Sequence, residues 1–254
     1  MRAACLFLVA LAVCLAPSLA AAACAFPSAP RILVAQGAKG AKGAPLVQVW
    51  DVADSVTYWT TADPISAAYR AFAAEVPKRV PVTDQFTLLR EAWLTGDPSL
   101  KQSHAMLSTR AVEWIRPAGC LEKLLLADQH ARTDLFERPT EFTALVLHSP
   151  NGRSLRIYAM TTNEEGIGDL SPLTTPALRD VRAGWRADIA LRNHNFHPGQ
   201  VDLNGVLTPS AADARFVANL AGSVRLKEAW ITNGVHSSRI PSAAFGLFVI
   251  LPKP

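Results

Sequence analysis

Five residues of this chain combine types and spacing that suit hydrolysis on a metal: Glu141, His194, His197, Ser210 and Asp213. A zinc hydrolase needs about three protein ligands and one open position for water, together with a carboxylate that can take the proton from that water. The stretch from Gly184 to Asp213 holds four of the five. An apolar strand ends in His194-Asn-Phe-His197-Pro198-Gly199, and a Pro209-Ser-Ala-Ala-Asp213 turn follows. Residues three apart on a continuing strand face opposite sides, so both imidazoles converge only if the chain turns at Pro198-Gly199. Ser210 suits a helix N-cap with its hydroxyl turned to the site, and Asp213 then sits in the first helical turn. His194, His197 and Asp213 are the candidate zinc ligands.

The elements that must position these groups follow from periodicity and turn signals. Residues 31–36 and 46–50 read as short strands joined by the Gly/Lys-rich loop 37–43, whose glycine spacing does not match a phosphate-binding turn. Asp63-Pro64 predicts a helix over 65–76, with proline at its first position. A second helical block spans 84–115, broken at Gly96-Asp97-Pro98, and carries Trp93 and Trp114. The leucine spacing of residues 118–133 predicts a third helix with one buried face. From Pro139 the pattern turns to strands at 141–147 and 154–160 around Asn151-Gly152, a hairpin signal. A strand at 187–192, a helix at 210–220 and a strand at 228–232 complete the series. This order predicts an α/β fold, a mixed sheet with flanking helices, preceded by a partly helical N-terminal segment.

Over residues 118–248 the chain resembles the JAB/MPN metalloproteases, whose JAMM motif is a glutamate on an early strand, then HxHP, then SxxD. The leucine-rich helix leading to Pro139-Thr140-Glu141, the Gly184-Trp185 pair ahead of the histidines and the Ser210-to-Asp213 turn carry the resemblance. It implies the JAB/MPN fold, which is cytidine-deaminase-like. It also implies Glu141 as general acid/base, His194 and Asp213 as Zn2+ ligands, and Ser210 as a donor to the oxyanion. The activity implied is zinc-dependent hydrolysis of a peptide or isopeptide bond in a peptide or protein substrate. The chain departs from the motif in its HxxHP spacing. Counted two residues back from His194, the partner position holds Arg192, which stays protonated and cannot ligate zinc. Arg192 and the histidine spacing favour a second reading, a catalytically inactive scaffold or binding protein on the same fold.

Met1-Arg2, an apolar run over 3–15 and small residues at 20–23 have the layout of a secretory signal peptide. Residues 1–23 are therefore set aside, 24–117 form an N-terminal mixed segment, and 118–254 form the JAB/MPN-like domain. The expected location is exported, periplasmic or secreted. Cys24 pairs with Cys120 in a disulfide, both stay free thiols, or Cys24 takes a lipid anchor after Ala-Ala-Ala. No segment is long and apolar enough to suggest a transmembrane span. With 25 Lys and Arg against 21 Asp and Glu, the net charge is only +4, and the basic residues do not cluster with aromatics, so nucleic-acid binding is not expected.

Overall fold

A computed structural model describes residues 23–35, 44–80, 84, 85, 87, 101–109, 115–162, 168–197 and 205–248. Residues 1–22, the loop 37–43, Trp93, Trp114, Glu164, Glu165, Pro198, Gly199 and Asp202 lie outside them.

The fold is mixed α/β, built on one eight-stranded sheet. Its strands are β1 (Arg31–Val34), β2 (Leu46–Ala53), β3 (Ile115–Pro117), β4 (Phe142–His148), β5 (Ser154–Thr161), β6 (Arg186–Asn193), β7 (Glu228–Thr232) and β8 (His236–Pro241). The order across the sheet is β1-β2-β5-β4-β6-β7-β8-β3. The β6–β7 pair is parallel and the other pairs are antiparallel. A parallel neighbour needs a crossover, and helix α5 (Ala211–Ser223) supplies it.

Helices cover both faces. Helices α1 (Ala67–Arg79) and α3 (Cys120–Arg132) pack on one face, where Phe72, Leu121 and Leu125 meet Trp50, Ile157 and Leu191. Helices α2 (Lys101–Ser108), α4 (Ser171–Arg182) and α5, with the 3-10 segment Ser242–Phe248, pack on the other. There Leu107, Leu173, Val217 and Phe245 meet Val49, Leu147, Tyr158 and Ala190. Strands buried on both faces read as continuous apolar runs, as β4 does.

The boundary expected between residues 117 and 118 does not divide the fold. Strands β1, β2 and β3 belong to the same sheet as the C-terminal strands, and α1 shares a core with α3. The link is also covalent, because Cys24 and Cys120 form a disulfide with Cα atoms 5.8 Å apart. A sulfur held in that bond cannot carry a lipid thioether, so the anchor considered for Cys24 is excluded in this state. No helix among the described residues is long and apolar enough to cross a membrane.

Other elements differ from expectation. Helix α1 starts at Ala67 rather than 65. Its cap is Ser66, whose side chain accepts from the Tyr69 N–H, while Pro64 bridges to Cys24. Ile115, expected to end a helix, begins β3 because β8 offers it an edge to pair with.

Candidate functional site

Strand alternation builds the site. Residues two apart on β6 point to the same side, so Arg192 and His194, the latter just past the strand end, turn toward α5. Asn193 and Asn195 turn the other way, toward α3. On β4, Thr143 lies opposite Arg192, which brings Glu141, two residues earlier, to the same face as the guanidinium. Ser210 caps α5 by accepting from the Asp213 N–H at 3.1 Å, and Asp213 returns a bond to the Ser210 N–H at 2.8 Å. This reciprocal capping box fixes the Asp213 carboxylate at the helix start.

Four of the five expected residues meet here, organised by one that was set aside. The Arg192 guanidinium reaches Glu141 Oε2 at 2.5 Å and Asp213 Oδ1 at 2.5 Å. Asp213 Oδ2 accepts from the Ser210 hydroxyl at 2.7 Å and the Ser210 N–H at 2.8 Å, and faces His194 Nε2 at 3.2 Å. His194 Nδ1 donates to the Val206 carbonyl at 2.9 Å. Asp213 is buried, and Phe216, Val217, Ala229 and Ile231 wall its side of the cluster. His197 is half-buried, three residues beyond His194. Among the described residues, no three His, Cys, Asp or Glu side chains gather so as to hold a metal ion.

Charge in this largely buried setting is balanced internally. Burial works against the charged form of His194, but the hydrogen bond and charge of Asp213, helped by Glu141, outweigh it and the repulsion of Arg192. The imidazole pKa is therefore raised. Burial likewise opposes the Asp213 carboxylate, yet His194, Arg192 and the Ser210 hydroxyl hold its pKa far below the ordinary range. For Arg192, burial is overcome by Asp213 and Glu141, which keep the guanidinium charged. With His194 protonated, two carboxylates face two cations and the cluster is neutral.

These shifts set a pH dependence. The raised His194 pKa contributes stability that is complete below the ordinary histidine value of about 6.5 and is lost as pH rises through the raised value. The depressed Asp213 pKa contributes stability that is complete above about 3.9 and is lost as pH falls. The site is thus expected to be firmest between about pH 4 and 6.5. NMR titration of the His194 ring should give a midpoint above the ordinary value, falling in Asp213→Asn. A wild-type midpoint at or below the ordinary value would contradict the ion pair.

A buried amide network holds the loops that carry the site. Asn193 Oδ1 accepts from the Phe142 N–H, and its Nδ2 donates to Gln129 Oε1 at 3.1 Å and Asn195 Oδ1 at 2.9 Å. Asn195 donates to the Thr140 carbonyl, and Asn233 donates to the Gly205 carbonyl at 2.8 Å. The Gly205 N–H donates to the Asn195 carbonyl at 3.0 Å, which ties the backbone just after β6 to the backbone ahead of α5. Gly205 has φ +68° with the Phe196 ring against it, and a Cβ there would sit 2.3 Å from that ring. Only glycine fits.

Sequence reasoning passed over Arg192 as a non-ligand and did not single out Asn193, Asn195, Asn233 or Gln129. The available signal was the polar string Arg192-Asn-His-Asn195 closing an apolar strand. Polar residues at a buried strand end need partners.

No protein-family model, curated protein or solved structure matches the chain.

The donor set can be tested against zinc from its chemistry. His194 has one feature of a metal ligand: its Nδ1–H is fixed by a backbone carbonyl, which leaves Nε2 as the ligating atom. Asp213 does not suit the role as arranged. Three groups crowd Oδ2, and the guanidinium takes Oδ1. A dication about 5 Å from that guanidinium would meet a repulsion of about 7 kcal/mol at an effective dielectric of about 20. The arrangement therefore fits a built-in cation and not Zn2+.

Proposed function

We propose that this chain is an exported JAB/MPN-like module that acts by binding rather than by hydrolysis, with Arg192 serving as a fixed internal cation among the motif residues. The observation that carries this reading is the guanidinium lodged between Glu141 and Asp213. It occupies the carboxylate that the motif would offer to a metal. It also engages the glutamate that would act as the base, so that carboxylate is already held by a side chain of the protein. The disulfide between Cys24 and Cys120 supports an oxidising compartment.

Zinc-dependent amide hydrolysis, with Glu141 as general acid/base and Ser210 as oxyanion donor, is the second reading. The orientation of His194, with Nε2 turned to Asp213, favours it. It requires Arg192 to leave both carboxylates and His197 to join His194 and Asp213.

An assay separates the two. Mature protein supplied with zinc is incubated with casein and with cross-linked cell-wall peptides, beside the Glu141→Gln variant. Equal background rates from both proteins are expected. Cleavage by wild type that Glu141→Gln abolishes would overturn the binding reading in favour of the hydrolase.

A further inference from the structure

At the other end of β6, a cleft of about 390 Å³ opens between the end of α4 and the segment that follows α5. Asp188, which lines it, is four residues and about 13 Å along the strand from Arg192, so this is a separate place on the molecule. Val181 and Trp185 supply an apolar wall, and Arg186, Arg225 and Lys227 stand around it. All three cations are exposed; the side chains of Arg186 and Lys227 are 55% and 63% accessible.

Their charge is not fully matched by the protein. Among the described residues that line the cleft, the one carboxylate is Asp188, buried and fixed by His148 Nδ1 at 2.8 Å and Lys227 Nζ at 3.1 Å, with Arg186 at 3.8 Å. The C-termini of α4 and α5 end beside the cleft, and each helix end carries roughly half a negative charge. Together these offset about two of the three positive charges. Trp185 is held in place by Arg156, whose guanidinium lies 4.4 Å from its ring centroid and is itself bound to Asp180 at 2.7 Å. The indole is thus a fixed platform, and the remaining charge sits next to it.

We infer that this cleft binds a small organic anion, a carboxylate or phosphate on a compact apolar body, with Arg225 and Lys227 gripping the anion and Trp185 covering the body. Arg and Lys donors serve both anions, and a mostly apolar pocket with a few convergent polar groups is the usual form of a small-ligand site. The inference does not depend on whether Asp213 binds zinc.

NMR of the mature protein tests it with benzoate, phenyl phosphate, inorganic phosphate and phenol as probes. Benzoate or phenyl phosphate is expected to give saturable shifts of the amides of residues 185–188 and 225–227, and the stronger of the two identifies the anion. Phenol and inorganic phosphate should each bind at least about tenfold more weakly, and added salt should weaken the anionic probes. Arg225→Gln/Lys227→Gln should reduce affinity at least about tenfold with the fold unchanged. If Lys227 proves necessary for folding, Arg186→Gln/Arg225→Gln serves the same purpose. The proposal falls if no probe saturates below ~20 mM, if phenol binds as well as the anions, or if a folded double variant binds as wild type does.

Discussion

Arg192→Ala is expected to lower the unfolding free energy by about 3–5 kcal/mol, the range seen when one partner of a buried ion pair is removed. The two carboxylates left behind cannot easily recover water. The Asp213 side chain is 3% exposed and that of Glu141 15%, so each keeps its desolvation cost without its counter-charge. Asp213 retains His194 and Ser210, whereas Glu141 loses the guanidinium that bridges it to Asp213. The penalty should therefore shrink when Glu141→Gln is combined with Arg192→Ala, giving a double-mutant cycle with a coupling on the order of 1–3 kcal/mol. Arg192→Lys should recover only part of the loss, because an ammonium lacks the fork that spans two carboxylates. Urea unfolding of wild type and the four variants measures this. A loss below about 1 kcal/mol for Arg192→Ala would mean that the guanidinium is not held between the carboxylates.

Breaking the disulfide is expected to have an effect of similar size. Cys24 and Cys120 lie 96 residues apart, and closing a loop of that length removes about 4–5 kcal/mol of chain entropy from the unfolded state in the simplest model. Cys120 opens α3 and is fully buried, while Cys24 bridges to Pro64 ahead of α1. The bond thus ties the N-terminal lead to the face where α1 and α3 pack. Cys24→Ser/Cys120→Ser, compared with oxidised wild type, should lose about 2–5 kcal/mol. Wild type measured in reductant should approach the variant. Oxidised protein no more stable than the variant would show that the lead is not ordered by this link.

Elements that announce themselves locally were readable in the sequence. The β4–β5 hairpin followed from Asn151-Gly152, and α3, β6, α5 and β7 followed from periodicity and capping residues, with ends displaced by a few residues. Elements that depend on distant partners were not. Helix α4 carries Pro172 in its first turn and Pro176 within it, and neither reads as helix interior. Strand β8 opens His-Ser-Ser-Arg, a polar string that becomes a strand because β7 and β3 flank it and because Ser237 and Ser238 are buried. The division at 117 and 118 failed for the same reason, since membership of one sheet is a long-range property.

The site divided along the same line. Ser210 and Asp213 were legible because a capping box is written in four consecutive residues. The approach of Glu141 to the same place was legible only through the order of motif residues. Arg192 was visible as an interruption of that motif, but its role depends on where its guanidinium lies, which β4 and α5 jointly determine. Cross-element placement of this kind leaves no local periodicity to read.

If Arg192 stands where a metal would otherwise bind, a zinc titration by isothermal calorimetry will register it. Wild type and Arg192→His are compared, with Asp213→Asn as the control. The histidine substitution removes the fixed charge and places a second imidazole on the same side of β6 as His194, so that together with Asp213 it makes up about three ligands. Wild type is expected to take up no zinc that depends on Asp213, and Arg192→His to take up one equivalent. One equivalent bound by wild type and lost in Asp213→Asn would mean that the guanidinium does not keep metal from Asp213.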